Sequence, residues 1–358
     1  DEETIRLWEI LVSESMRYFN EVYSMLNVLL IDSDIKGESF YHNLLPVVID
    51  RLNKSKLLVE SEGADVVYPD KKWMNREGKI MPMIIRKGDG GYNYSATDLA
   101  CIIDRSERLQ CTDFLYVVGT PQKQHFEMVF DIAKMAKLID NKHTAVHVNF
   151  GSVLNQDGKI LKSREGNVIK LVDLLLESIS RAEDTIKLKN PNLSYKERIK
   201  VAKMIGIGAV KYADLSTERT KDYIFDWDKM LSFEGNTSPY LQYAHARICS
   251  IFAKSPISRI EITDVKFMIT EKEERLLARR LLIFANVLDE AIETYSPHRL
   301  CNYLHSLAAS FASFYENCPV LKAPNADIRA SRLALCDLTA KTLNLGLDLL
   351  GINSPEEM

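Results

Sequence analysis

Two carboxylates, Glu38 and Asp98, a phenol, Tyr94, and an amide, Gln122, stand at or near points where apolar runs give way to helical patterns. In an open α/β sheet such junctions lie at the carboxyl edge of the strands, the usual place for a ligand. The clearest one runs from Lys87 to Arg105. Pro82 to Ile85 before it reads as a buried strand, Gly88, Gly90 and Gly91 turn the backbone, and Leu99, Ile102, Ile103 and Leu109 recur at helical spacing. Tyr94 and Asp98, four residues apart, come together if the first helical turn begins early. Each polar residue also has a plain structural role open to it. Ser95-Ala-Thr-Asp98 matches a capping box; Glu38, beside Gly37, suits a solvated turn; Gln122 suits a first helical turn. A second chemistry is written in Gly158 to Asn167, a basic loop with Lys159, Lys162 and Arg164 that opens a helix. Amides at a helix start and cationic side chains favour phosphate, with an ordinary surface turn as the alternative.

These residues need elements to hold them, and 358 residues at 46% hydrophobic and 27% charged suffice for two domains. Helical periodicity covers Thr4 to Val28, followed by a strand at Val28 to Ile31 and a helix from Tyr41 to Lys54. Short strands with turns at Glu62-Gly63 and Glu77-Gly78 suggest a small β insertion over about 57–83. Phe114 to Val118 and Ala145 to Phe150 read as strands around a helix from Gln122 to Lys137, with Thr120 as N-cap and Pro121 first in the helix. Strands alternating with helices predict a parallel α/β sheet. From Val168 the pattern is helical throughout: Val168 to Lys189, Tyr195 to Asp214, Ser238 to Phe252, Glu271 to Tyr295, Pro297 to Asn317 and Asp327 to Leu350, with Gly351 as the stop. Asn155 to Asp222 carries 14 Lys and Arg against 10 Asp and Glu, while the whole chain has a net charge of −4, which gives no global reason to expect nucleic acid. Six cysteines are scattered singly with no metal-type spacing, so no protein metal site is expected and a reduced cytoplasm is the simplest setting. No apolar run is long enough to span a bilayer.

The residues resemble one family closely, arginyl-tRNA synthetase of the bacterial type. Asp89-Gly-Gly-Tyr-Asn-Tyr-Ser-Ala-Thr-Asp98 is similar to the family's Asp-Gly-Gly-Tyr-x-Tyr-x-x-x-Asp segment. Gly37-Glu38-Ser39, Gly206 to Ser216, Asp222 to Trp227, Phe233 to Tyr240 and Phe314 to Pro319 match further signatures in the same order, and Ser354 to Met358 resembles the usual ending, with Glu357 where arginine is common. The resemblance implies α/β followed by all-α: a partial Rossmann-type class I catalytic domain over 1–235, with the phosphate loop at 158–167 and a helical linker region at 168–222, then an anticodon-binding helical bundle over 236–358. It implies ATP-dependent activation of L-arginine and transfer to the 3′ end of arginine tRNA, with ATP as its Mg²⁺ complex, in a cytoplasmic monomer.

By position in the family motifs, Glu38, Tyr94, Asp98, Gln122 and His125 would bind arginine. Acidic partners suit a planar, permanently charged guanidinium. Lys162, Ser163 and Arg164 occupy a degenerate version of the class I Lys-Met-Ser-Lys-Ser loop and would meet ATP phosphates. Tyr240, Tyr243 and Asn236 would contact tRNA, by stacking on an unpaired base in the tyrosines' case; helix packing is the rival role of both tyrosines. None of the seven histidines forms the class I His-x-Gly-His signature. The chain is therefore expected to be the C-terminal portion of the enzyme, inactive alone in adenylate formation and charging. The alternative is a derived, non-catalytic tRNA-binding or interaction module, which would have no need of an arginine pocket. Another class I enzyme, such as the cysteine synthetase, is disfavoured by the lack of zinc-type ligands.

Overall fold

A computed structural model describes residues 1–71, 73–75, 77–159, 170–255 and 265–358. The chain forms two compact units, one of Leu30–Gly151 and one of Asp1–Leu29 with Ser152–Met358.

In the Leu30–Gly151 unit a 3₁₀ turn, Glu38–Leu44, runs into α2 (Leu45–Lys54), where Pro46 occupies the first turn and its missing N–H costs nothing. The α-helix thus starts later than Tyr41, the start expected from the apolar spacing. Strands β1 (Leu58–Ser61), β2 (Ala64–Val67) and β3 (Met83–Arg86) form an antiparallel sheet in that order. The β1–β2 turn places Glu62 and Gly63 at φ of 51° and 77°, the left-handed region that glycine tolerates without strain. The strand entering the glycine turn is therefore part of the antiparallel insertion, which extends to Arg86, and has no parallel neighbour among the described residues. Parallel pairing occurs between β4 (Asp113–Tyr116) and β5 (Thr144–His147), joined through α4 (Lys123–Met135) as alternation predicts. Helix α3 (Tyr94–Ile103) follows the glycine turn, and Val48, Leu52, Ile85, Leu99, Ile102, Val129 and Ile132 are fully buried in one core.

The expected strand at Val28 to Ile31 is not formed. The chain turns at Asn27, with φ of 54°, and Leu29 is 92% exposed. A strand needs a neighbour to satisfy its peptide groups, and among the described residues none pairs with this stretch.

The other unit contains α1 (Glu2–Met25), whose helical spacing is real but whose Ile5, Trp8 and Leu11 stay more than half exposed. Two-residue strands β6 (Val153–Leu154) and β7 (Tyr223–Ile224) pair in parallel, separated in sequence by α5 (Leu171–Lys189) and α6 (Tyr195–Ser216). Then follow α7 (Trp227–Met230), α8 (Ser238–Ala253), α9 (Lys272–Leu282), α10 (Phe284–Glu293), α11 (Pro297–Asn317) and α12 (Ala326–Leu349). The single helix expected from Glu271 to Tyr295 is two, divided at Ile283, where φ of −91° and ψ of 1° leave the helical region. Asn325 caps α12 by accepting from the Ile328 amide at 2.8 Å, and Gly351, at φ of 67°, follows its end. The linker helices share a unit with the bundle. The Tyr212 hydroxyl on α6 donates to the Cys301 carbonyl at 2.8 Å, and Gln242 on α8 donates to the Met204 carbonyl at 3.0 Å.

Gly206 sets the approach of α5 and α6. A Cβ there would lie 2.7 Å from the Ile179 nitrogen and 2.8 Å from the Ser178 carbonyl carbon, and backbone cannot swing aside. Gly206→Ala gains ~1 kcal/mol of helix propensity, yet overpacking costs ~1–3 kcal/mol and separates Ser178 Oγ from the Gly206 carbonyl it meets at 2.7 Å. The expected outcome is a lower denaturation midpoint; an unchanged midpoint would show that the helices can part freely.

Candidate functional site

Helix α3 begins at Tyr94, immediately after the glycine turn, so Tyr94 and Asp98 lie one turn apart on the helix mouth. The N-cap is Asn93, whose side chain accepts from the Tyr94 amide at 2.9 Å. Ser95 instead donates its hydroxyl to the Ile84 carbonyl of β3, tying the helix start to the strand before it. The capping-box role open to Asp98 is therefore not taken. Its Oδ2 lies 2.6 Å from Nε2 of His125 on α4. Tyr94 packs over the same imidazole with ring centroids 4.7 Å apart.

Gln122 ends a 3₁₀ turn, Thr120–Gln122, one residue before α4, and its side chain is exposed one turn ahead of His125. Thr120 does not cap α4; its hydroxyl donates to the Phe150 carbonyl at 2.9 Å, which fastens the β4 end to the segment after β5. Glu38 is the exposed first residue of the 3₁₀ turn that packs on α3. Three residues on, the Tyr41 hydroxyl accepts from Cys101 Sγ at 3.3 Å, and Cys101 is itself three residues beyond Asp98. Glu38 and Asp98 thus lie on two elements in contact. Tyr94, Asp98 and His125 touch directly; Glu38 and Gln122 belong to the same unit.

Beneath this cluster lies an aromatic floor. Phe126 is 4.9 Å from Tyr116 and 5.1 Å from His147 between ring centroids, and the Arg105 guanidinium sits 5.0 Å from the Tyr116 centroid. Burial raises the Tyr116 phenol well above its ordinary pKa, with the negative charge of Asp98 adding to it, so it stays neutral. Tyr41, Cys101, Arg105 and Tyr116 carried no signal of spacing, because their role comes from packing across elements.

Lys162, Ser163 and Arg164 lie outside the described residues. In the bundle, Asn236 spends its amide internally, its Oδ1 2.7 Å from the Tyr212 hydroxyl and its Nδ2 donating to Asn302 Oδ1 at 3.1 Å. Tyr240 is partly buried against the bundle core, 5.6 Å from His305. Tyr243 is 39% exposed and opens on a groove of about 650 Å³ that is also lined by Asn190, Arg247, Ser250, Glu357 and Met358. The Arg247 guanidinium lies 4.8 Å from the Tyr243 centroid and donates to its hydroxyl at 3.0 Å. Arg247, four residues on, was missed although its helical spacing from Tyr243 was a signal for it; Met358 reaches the groove only through tertiary folding. Among the described residues no three His, Cys, Asp or Glu side chains converge as a metal site, and no helix is long and apolar enough to cross a membrane.

The strand, glycine turn and helix, together with the bundle, define a class I tRNA synthetase catalytic part joined to an anticodon-binding domain. Residues 1–227 match the model for tRNA synthetases class I (R), catalytic domain, and residues 241–358 match the DALR anticodon binding domain. The chain belongs to the arginyl-tRNA synthetase family. It is 47% identical over all 358 residues to the arginine–tRNA ligase of Thermobifida fusca. The solved arginyl-tRNA synthetase of Plasmodium falciparum matches all of this chain at a TM-score of 0.86 and 32% identity, the match covering 59% of that structure. That of Thermus thermophilus matches 88% of this chain at 0.76 and 27% identity, covering 58% of its own. The chain spans about 62% of the length of the curated relatives it matches.

Proposed function

We propose that this chain supplies the arginine-recognising wall and the anticodon-binding bundle of an arginine–tRNA ligase, which activates L-arginine with Mg²⁺-ATP and esterifies the 3′ end of arginine tRNA. The observation that carries this reading is the carboxylate of Asp98, oriented beside Tyr94 on a rigid helix start, with Glu38 on the element packed next to it. Two carboxylates on neighbouring elements suit a guanidinium, which offers five donors in a fixed plane and never loses its charge. Gln122, at the entry of α4, would hold the backbone end of the amino acid. Lys162, Ser163 and Arg164 would meet the phosphates of ATP and stabilise charge as pyrophosphate departs, Ser163 by hydrogen bonding and the two cations by position and charge. In the bundle, Tyr243 offers an aromatic face to an unpaired base and Arg247 adds a cation beside it. Tyr240 and Asn236 would support that contact from the helix entry. A monomer working in the cytoplasm fits this role.

The test is transfer of labelled arginine to arginine tRNA by the protein expressed from its whole reading frame, with this chain alone in parallel. The whole-frame protein is expected to charge the tRNA and the chain alone is not; no arginine transfer by the former would overturn the reading. Tyr243→Ala is expected to lower kcat/KM for tRNA by about 5- to 100-fold, the worth of one stacked base, with arginine-dependent parameters preserved. Equal loss with a tRNA altered in its anticodon loop would agree; full activity of Tyr243→Ala would leave the tyrosine as packing.

A further inference from the structure

We propose that His125 is a positioning residue for arginine recognition: its Nε2–H holds one oxygen of Asp98, so that the carboxylate plane is fixed and the other oxygen faces the substrate guanidinium. The inference rests on the reading of Asp98 as an arginine ligand. Its ground is geometry. The Nε2 to Oδ2 separation is 2.6 Å, just shorter than the ~2.7–2.9 Å usual for a charge-assisted N–H···O⁻ bond. An ionised carboxylate only accepts, so the proton of this bond sits on Nε2. The imidazole side chain is only 12% exposed and is held on two sides, by Tyr94 at 4.7 Å and by Phe126 at 5.1 Å between centroids. Phe126 is in turn packed on Tyr116 and Phe130. A donor gripped in this way cannot follow a wandering acceptor; the acceptor is fixed instead. The Asp98 side chain keeps 27% of its surface exposed, and its Oδ1 makes no hydrogen bond to a described residue.

The consequence is selectivity by plane as well as by charge. The terminal torsion of an aspartate is broad and roughly two-fold, so a free carboxylate samples many orientations. A guanidinium gains from an acceptor lying in its plane, whereas an ammonium, with three rotatable donors, does not depend on one. Pinning one oxygen therefore favours arginine over lysine without adding a contact to the substrate. It also assigns His125 a place behind the ligand, in contrast to direct substrate contact, and explains why a histidine stands at the third residue of α4, where its ring reaches across to α3.

Two variants separate the donor from the packing: His125→Phe keeps a ring and loses the N–H, and His125→Gln keeps a donor on a flexible arm. In arginine-dependent tRNA charging by the whole-frame protein, His125→Phe is expected to raise the arginine KM about tenfold, the worth of one hydrogen bond to a charged group. That KM should move several times more than either kcat or the ATP KM. His125→Gln should recover at least half of the change on a logarithmic scale, and the ratio of arginine to lysine use should fall in His125→Phe. In an Asp98→Asn background the His125→Phe effect should shrink to within about twofold, as coupled residues require. The proposal is overturned if His125→Phe leaves the arginine KM in place, if Phe and Gln variants are equally impaired, or if the effect persists undiminished in Asp98→Asn. An unchanged arginine KM in Asp98→Asn by itself would instead bring down the arginine reading of the site. Circular dichroism and the thermal midpoint of each variant identify a folding defect, which, if it alone accounted for the loss, would also count against the proposal.

Discussion

Asp98→Asn is expected to raise the KM for arginine about 10- to 100-fold in the whole-frame protein, with the ATP KM nearly unchanged. The substitution keeps the size and shape of the side chain and removes its charge. A hydrogen bond to a charged group contributes ~1.5–3 kcal/mol, and each 1.4 kcal/mol is a factor of ten. The structure makes the experiment clean in one respect. The helix start is capped by Asn93 and by the Ser95 contact to Ile84, so Asp98 is free of capping duty and its neutralisation leaves α3 intact. Stability measured by thermal unfolding should therefore move little while substrate discrimination falls. Arginine kinetics like those of the parent protein would remove Asp98 from the pocket.

The second large effect concerns the bundle. Glu274 on α9 is fully buried, and Arg332 on α12 is 4% exposed; Nε meets Oε1 at 2.6 Å. Glu274 Oε2 also accepts from the Thr270 amide at 2.7 Å and the Glu271 amide at 3.0 Å, while Arg332 donates to the Pro319 carbonyl at 2.9 Å. Arg332→Leu strands a carboxylate in the core and is expected to cost ~3–5 kcal/mol, read as a loss in chemical denaturation. Replacing Glu274 by leucine as well should restore part of that loss, because the pair itself is a weak source of net stability. Restoration is incomplete since the two amides at the start of α9 lose their acceptor, each at ~1 kcal/mol. A single variant as stable as the parent would show that the carboxylate is relieved by another route.

The same site fixes a sign for pH. Burial alone would raise the Glu274 carboxyl, but the Glu271 amide, Arg332 and the Thr270 amide together hold it below its ordinary value of 4.5. A depressed folded pKa means that the stabilisation is complete above the unfolded value and is lost as pH falls through the lower folded value. Acid titration of bundle stability should therefore show the Glu274 contribution fading below about pH 4.5, and a variant lacking the pair should lose that part of the acid dependence.

Much of this molecule is determined by local sequence. Most helices from Tyr195 onward, though neither the break at Ile283 nor the short α7, were legible because apolar residues recur every three or four positions and because Ser194, Thr237 and Asn325 can cap them. The order of motifs around Glu38, Asp89 to Asp98 and Phe233 to Tyr240 carried the family, since those segments are contiguous and their residue types are chemically constrained. The glycine turn followed from Gly88, Gly90 and Gly91, whose backbone freedom is local, whereas the early start of α3 behind Asn93 was left open by the spacing.

Tertiary structure decided the rest. Whether Asp98 caps its own helix or faces another could not be read from Ser95-Ala-Thr-Asp98, because both roles use the same residues; the position of His125, 27 residues away, settles it. The partner of β3 is β2 in an antiparallel sheet, a choice that an apolar run of four residues does not encode, since pairing energy belongs to both strands. Val28 to Ile31 shows the converse: its composition suits a strand, but peptide groups form one only where a neighbouring strand accepts them. Arg247 joins Tyr243 by helical spacing, whereas Glu357 and Met358 reach the same groove only because the segment after α12 folds back beside α8. The sequence by itself thus determined the elements and the chemical types at their ends. Only the folded chain, through contacts between residues far apart in sequence, determined which of those groups meet.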